Sequence, residues 1–313
     1  MARADSVDST LAGRGEIDRD AIVVGGGAAG LSAAVFLARY GLETLVLARG
    51  TSAIRQCAHL ENYPGFPGGI SPERFLSLAR TQVDYEGGTV REELVERIER
   101  TPLPGHEDTD IDAAGRDPGR GGFRVESDDG DYLTRYVLTA TAYDGDMLDP
   151  LADEIETDGE HGFVDSDAGR TAVDGLYTAG WMTDEVDHQV AASVGHGARA
   201  ALALARDDLG ARYWPELAEC HQDWVVDGDR YAGDEAWYAD TREWFDETVV
   251  VDDLDDDIVE AGFEYISGEF LDRCLDADER DERDREGQYL LLEQLDDAVI
   301  REYAGSLEGT DDE

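Results

Sequence analysis

The sequence predicts an α/β fold: a parallel sheet flanked by helices, a β-hairpin layer, and a helical extension at the C-terminal end. Three observations carry that expectation. A short apolar run at residues 21–24 leads into a glycine-rich turn at 25–30, then into Leu31, Ala34, Val35 and Ala38 at helical spacing. A second β-type run at 44–47 closes a βαβ unit within about thirty residues, and such units imply a buried parallel sheet. Beyond Arg206 the strand signals give way to helical stretches in an acidic, tryptophan-rich setting.

The elements follow in order. Residues 1–19 are polar and acidic without periodicity and read as a disordered arm. The first helix stops before Gly41, which stands where a C-cap glycine belongs. After a loop holding Pro64 and Pro67, residues 72–86 read as a helix with Ser71 at the N-cap and Pro72 at the first position. Residues 90–98 form one further run, and 101–120 form a break rich in Pro, Gly and Asp. Residues 123–125 and 132–139, joined by Asp128-Asp129-Gly130-Asp131, give a β-hairpin signal. An acidic loop spans 143–161, residues 173–179 read as a strand, and 189–205 as a helix rich in small residues. Helical stretches are expected near 213–224, 234–247, 254–275 and 289–303, where Trp214, Trp224, Trp237 and Trp244 lie. The expected organisation is an arm over 1–19, a nucleotide-binding domain over 20–206 and a helical extension over 207–313.

Composition narrows the function. With 313 residues, 41% of them hydrophobic, the chain can bury a core. It carries 74 acids against 26 bases, every base is Arg, and the formal net charge is -48. Such a charge self-repels in dilute buffer, but at molar salt the screening length falls to about 3 Å. The acids are spread along the whole chain, which reads as adaptation to a salt-filled, halophilic cytoplasm. No basic patch exists to meet phosphates, so nucleic acid is not the expected partner. Cys57, Cys220 and Cys274 form neither a disulfide framework nor C-x-x-C, and no metal-ligand quartet is in view. The first twenty residues lack a signal-peptide pattern, and no apolar run approaches the ~20 residues of a membrane span. A cytoplasmic chain without membrane contact is expected.

Gly25-Gly26-Gly27-Ala28-Ala29-Gly30 is G-x-G-x-x-G in its full context, after a strand and opening a helix. Gly25 permits the tight turn, Gly27 lets the backbone approach a pyrophosphate, and Gly30 lets helix and strand close up. The amides at the mouth of that helix then face a phosphate anion.

Two further segments narrow the choice. Glu61-Asn62-Tyr63-Pro64-Gly65-Phe66 resembles the E-N-[YW]-P-G-F loop of thioredoxin reductases and related flavoproteins. Gly169-Arg170-Thr171, then Gly175-Leu176-Tyr177-Thr178-Ala179-Gly180, then Asp187-His188-Gln189-Val190 resemble that family's second FAD motif, G-R-T…G-[VL]-[FY]-A-[AT]-G-D followed by R-Q-V. The likeness covers 20–100, 121–142 and 162–205. It implies a Rossmann-like FAD-binding domain of the pyridine nucleotide-disulfide oxidoreductase superfamily, with FAD as cofactor. Gly25 to Gly30 would hold the pyrophosphate, while Gly180, Trp181, His188, Gln189 and Val190 would border the rest of the flavin.

The departures from the family pattern are equally specific. The resemblance implies an NADPH domain with its own C-x-x-C between the two halves of the FAD domain, and the segment at 143–161 is far too short for one. The family's ribose-binding Glu is Ala48 here, followed by Arg49; its Ala-Thr-Gly is Ala140-Thr141-Ala142; its Gly-Asp is Gly180-Trp181. Arg49 could instead meet a ribose phosphate. The expected function is a flavin-dependent oxidoreductase without its own nicotinamide site, fed by an external electron donor such as a ferredoxin or by a small-molecule substrate. The alternative is a non-catalytic nucleotide-binding or regulatory module that has lost part of the flavin site. No residue earns a catalytic assignment, and a homodimer is compatible with either reading.

Overall fold

The computed structural model describes residues 17–103, 121–142, 144–157, 163–184, 187–228 and 235–308. The expected arm lies outside them except at its end, where Arg19 already opens the first strand. The chain forms two compact units, Met1–Pro215 and Glu216–Glu313.

The first unit is built on β1 (Arg19–Val24), α1 (Ala28–Arg39), β2 (Thr44–Leu47), α2 (Pro72–Tyr85), β3 (Thr89–Arg91), β4 (Val95–Pro102), β5 (Gly121–Ser127), β6 (Asp131–Thr139), β7 (Leu176–Thr178) and α3 (Val190–Arg212). One sheet runs in the order β3-β2-β1-β6-β5-β4. Strands β3, β2, β1 and β6 pair in parallel, while β4, β5 and β6 form an antiparallel meander. The free edge of β6 is shared. Its first half pairs with β5, and its second half pairs in parallel with β7, Val137 to Thr139 against Leu176 to Thr178.

Side-chain alternation along β1 sorts the core into two layers. Ala21 and Val23 face α1, α2 and α3, packing with Leu31, Leu37, Val46, Phe75, Leu138 and Leu204. Ile22 and Val24 face the meander, packing with Leu45, Ile98, Phe123, Val125 and Leu176. Both faces of the parallel strands are thus covered, which is why residues 21–24 and 44–47 are uninterrupted apolar runs.

Several elements differ from the sequence expectation. The run at 90–98 is two strands, β3 and β4, parted at residues 92–94. The break holds Glu93, 5% exposed, whose carboxylate accepts from Ser127 Oγ and Tyr132 Oη on the hairpin. The strand at 173–179 shortens to the three residues that find β6. Helix α3 continues past residue 205 to Arg212, because Asp208 is buried against Arg135 and Arg212. Arg135 also meets Asp20, so one guanidinium serves two buried carboxylates.

The second unit holds α4 (Pro215–Cys220), β8 (Val226–Asp227), α5 (Glu235–Thr248), α6 (Asp256–Asp272), β9 (Cys274–Leu275), α7 (Ala277–Glu293) and α8 (Asp297–Glu308). Helices α5 and α6 pack through Phe245 on Phe263, ring centres 5.3 Å apart, and Trp237 on Phe270, 5.5 Å apart. Arg273 pairs with Asp223 and Glu269. The stretch expected at 289–303 is the end of α7 and the start of α8. Helix α7 buries no residue. It is started by a capping box, Asp276 with Glu279, and not by an apolar face.

Candidate functional site

The carboxyl ends of β1, β2, β6 and β7 converge on one edge of the sheet, where α/β proteins place their ligands. Gly25 leaves β1 with φ +117°. A methyl there would lie 2.4 Å from the Ala140 carbonyl oxygen, so the turn admits only glycine. At Gly30 a methyl would sit 1.9 Å from the Gly25 carbonyl oxygen; this glycine is what lets the turn lie flat on α1. Gly27 is the N-cap of α1 and has no side chain to cap with, and the first turn carries no acid. The amides there and the positive end of the helix dipole are left to an external anion. Ala28 and Ala29 continue the cradle without bulk.

A second wall comes from the turn after β7. Gly180 has φ +71°, and a methyl on it would touch Ala29 Cβ at 3.0 Å. The turn therefore stands directly on the first turn of α1. The Gly180 amide donates to His196 Nδ1 of α3 at 3.1 Å. Trp181 then stacks on His188, ring centres 4.2 Å apart and planes 29° from parallel. The two positions that depart from the family's Asp and Arg are thus in contact with each other. Gln189 stands at the N-cap position of α3, ahead of Val190, and its side chain turns from the helix to accept from Asn62 Nδ2 at 2.7 Å. That bond joins the 61–66 loop to the segment after the second motif. A cleft of about 220 Å³ opens beside Trp181, lined by Leu148, Ile155, Phe163, Val164 and Met182.

The corner at the end of β2 has changed character. Ala48 lies against Gly26, whose added methyl would be 2.4 Å from Ala48 Cβ. Arg49 turns away to pair with Asp128 of the hairpin turn. Arg80 of α2, which the sequence did not single out, reaches this corner instead: its Nη2 is 3.9 Å from the Gly26 methyl position. Its Nη1 lies 3.7 Å from the exposed Glu92, and its buried Nε has no hydrogen-bond partner among the described residues. No sequence periodicity marks Arg80, since its role depends on where α2 crosses the sheet.

Ala142 has φ +65° at the position where the family pattern has glycine. Cys57 is exposed, and the described residues bring no three metal-ligating side chains together. No helix among the described residues is long and apolar enough to cross a membrane. Burial pushes the Tyr136 and Tyr177 phenols up. The Tyr177 hydroxyl donates to Asp207, which also holds Arg170.

Comparison with known proteins agrees with this geometry. Residues 19–141 match the family model described as pyridine nucleotide-disulphide oxidoreductase. The thioredoxin reductase of Aquifex aeolicus is 43% identical over 70 residues, 22% of each chain. That of Treponema pallidum is 41% identical over 86 residues, 26% of this chain and 28% of its own. NADPH-dependent thioredoxin reductase 3 of Arabidopsis thaliana is 31% identical over 109 residues, 33% of this chain and 20% of its own. The matches thus span less than a third of each of these relatives. Among solved structures, a thioredoxin reductase from Gloeobacter violaceus superposes with a TM-score of 0.54 at 16% identity, over 68% of this chain and all of its own, which shows a shared fold.

Proposed function

We propose that this chain, whose residues 19–141 match the pyridine nucleotide-disulphide oxidoreductase family model and are similar to thioredoxin reductases, is a flavin-dependent oxidoreductase that binds FAD and exchanges electrons with an external donor or a small substrate. The observation that carries this reading is the uncapped mouth of α1, framed by Gly25 and Gly30, which cannot bear a methyl, and faced by the Gly180 turn, where an added methyl would touch Ala29 Cβ. That cradle fits a pyrophosphate. When bound, FAD supplies a reversible two-electron centre.

The roles of the chain's residues follow from their places. The amides of Gly26 to Ala29 take the pyrophosphate, and Arg80 meets the ribose end in place of the family's carboxylate. The Asn62–Gln189 bond ties down the 61–66 loop. Trp181 and His188 present an aromatic wall in place of charged groups, and the cleft beside Trp181, which Asp149 and Thr157 also line, offers room for a small substrate. Strand β6 passes to β7 through residues 140–175 alone, and the sequence has no C-x-x-C. Reducing equivalents then come from outside, from a protein such as a ferredoxin or from a small molecule, and not from a nicotinamide held by an inserted domain. The charge of -48 suits a halophilic cytoplasm.

The test is a visible spectrum of the purified protein in concentrated KCl, followed by denaturation and identification of the released nucleotide. A yellow protein releasing one FAD per chain supports the proposal. A colourless protein that cannot be loaded with FAD refutes it and leaves a non-catalytic nucleotide-binding module.

A further inference from the structure

We propose that His196 is a positioning residue for the cofactor mouth, holding the Gly180–Met182 turn against the start of α1 through one imidazole-to-amide hydrogen bond. The choice of ligand rests on the flavin reading above; the geometry does not. The imidazole is 6% exposed, and its Nδ1 accepts from the Gly180 amide at 3.1 Å. An accepting Nδ1 carries no proton, so the neutral ring holds its hydrogen on Nε2.

Three further contacts make that bond a fixed point. The Gly180 carbonyl accepts from the Thr183 amide at 3.2 Å, so both polar groups of this residue are held. At Gly197, next in sequence to His196, an added methyl would lie 2.1 Å from the Ala29 carbonyl oxygen, so the backbone of α3 rests on the first turn of α1. Ser32 Oγ of α1 donates to the Val194 carbonyl of α3 at 2.9 Å. The imidazole therefore grows from a backbone pinned to α1 and reaches across to the turn that forms the opposite wall. Trp181 follows Gly180 directly, so its stack on His188 depends on the same anchor. Without an acceptor at Nδ1, the Gly180 amide is buried and unpaired, and the turn must move to satisfy it.

The experiment compares His196→Asn with His196→Leu in concentrated KCl. Asn places Oδ1 where Nδ1 stood; Leu fills the space and accepts nothing. Dissociation constants for FAD, by flavin fluorescence, and for ADP, by calorimetry, are measured well below each variant's melting midpoint. His196→Asn is expected to bind both within about twofold of the parent, and His196→Leu about tenfold more weakly. Nitrogen NMR of the parent is expected to show His196 protonated at Nε2. Equal affinities for the Asn and Leu variants, or a proton on Nδ1, overturn the proposal. If His196→Leu does not fold, His196→Gln replaces it; its longer side chain carries the acceptor to the Nε2 position, and the same loss is expected. A parent that binds ADP but not FAD sinks the flavin reading while the ADP series still decides His196. A parent that binds neither overturns both.

Discussion

Gly195 and Gly197 lie two residues apart in α3 and make opposite demands. Replacing either by alanine in a helix interior gains about 0.5–1 kcal/mol from backbone entropy alone. At Gly195 the added methyl meets nothing within 4 Å, so the gain is realised. At Gly197 it meets the Ala29 carbonyl oxygen at 2.1 Å, its carbon at 2.8 Å and its Cα at 2.9 Å. All three atoms are backbone and cannot rotate away, so the two helices must part by about 1 Å to regain ordinary contact. Overpacking costs roughly 1–3 kcal/mol, and a backbone-to-backbone clash belongs at the upper end. Net of the entropy gain, Gly197→Ala loses about 2 kcal/mol. For a unit of this size each kcal/mol moves the melting midpoint by about 2–4 °C. Thermal melts followed by circular dichroism in concentrated KCl should show Gly195→Ala rising by about 1–4 °C and Gly197→Ala falling by about 4–8 °C. If both variants move the same way, α3 does not rest on the mouth of α1 as described, and the argument for His196 loses its base.

Other outcomes follow from the same structure. Ala142→Gly should raise the melting midpoint, since a left-handed alanine costs about 1–2 kcal/mol, and no gain would mean that φ +65° is not adopted in solution. Arg135→Met takes the shared cation from Asp20 and Asp208, each nearly fully buried, and should cost about 3 kcal/mol in the same melts; a neutral result would show that the Glu43 amide and Arg212 suffice for the two carboxylates. Ala48→Glu combined with Trp181→Asp restores two hydrogen-bonding carboxylates and should tighten FAD by about tenfold or more in a fluorescence titration. An unchanged affinity would show that these positions do not face the cofactor.

What the sequence revealed was local, and what it hid was not. The βαβ unit was legible because strand, glycine turn and helix follow one another within a few residues, and Ser71-Pro72 and Asp128-Asp129-Gly130 are equally local signals. The break between β3 and β4 was hidden because Glu93 finds its partners on the hairpin, more than thirty positions away. Arg49 reads as a ribose ligand when only its neighbour Ala48 is considered. In the fold it is claimed by Asp128, and Arg80 stands nearer the turn. His196 carries no sequence signal, since its partner Gly180 belongs to another element. Helix α7 buries nothing, so apolar spacing could not find its start, although Asp276 and Glu279 marked it.

The register of β7 is taken from β6 through three residue pairs at the very end of that strand. The described residues between Thr139 and Leu176 add no strand to that order, although Met147, Leu148, Leu151, Val164 and Val173 pack against its meander side. A folded body could be spliced in at that seam, or excised from it, without rethreading a single strand. Gain or loss of a whole module is then a one-step edit, and the same seam is the natural place to graft a reporter or a second enzyme onto this scaffold.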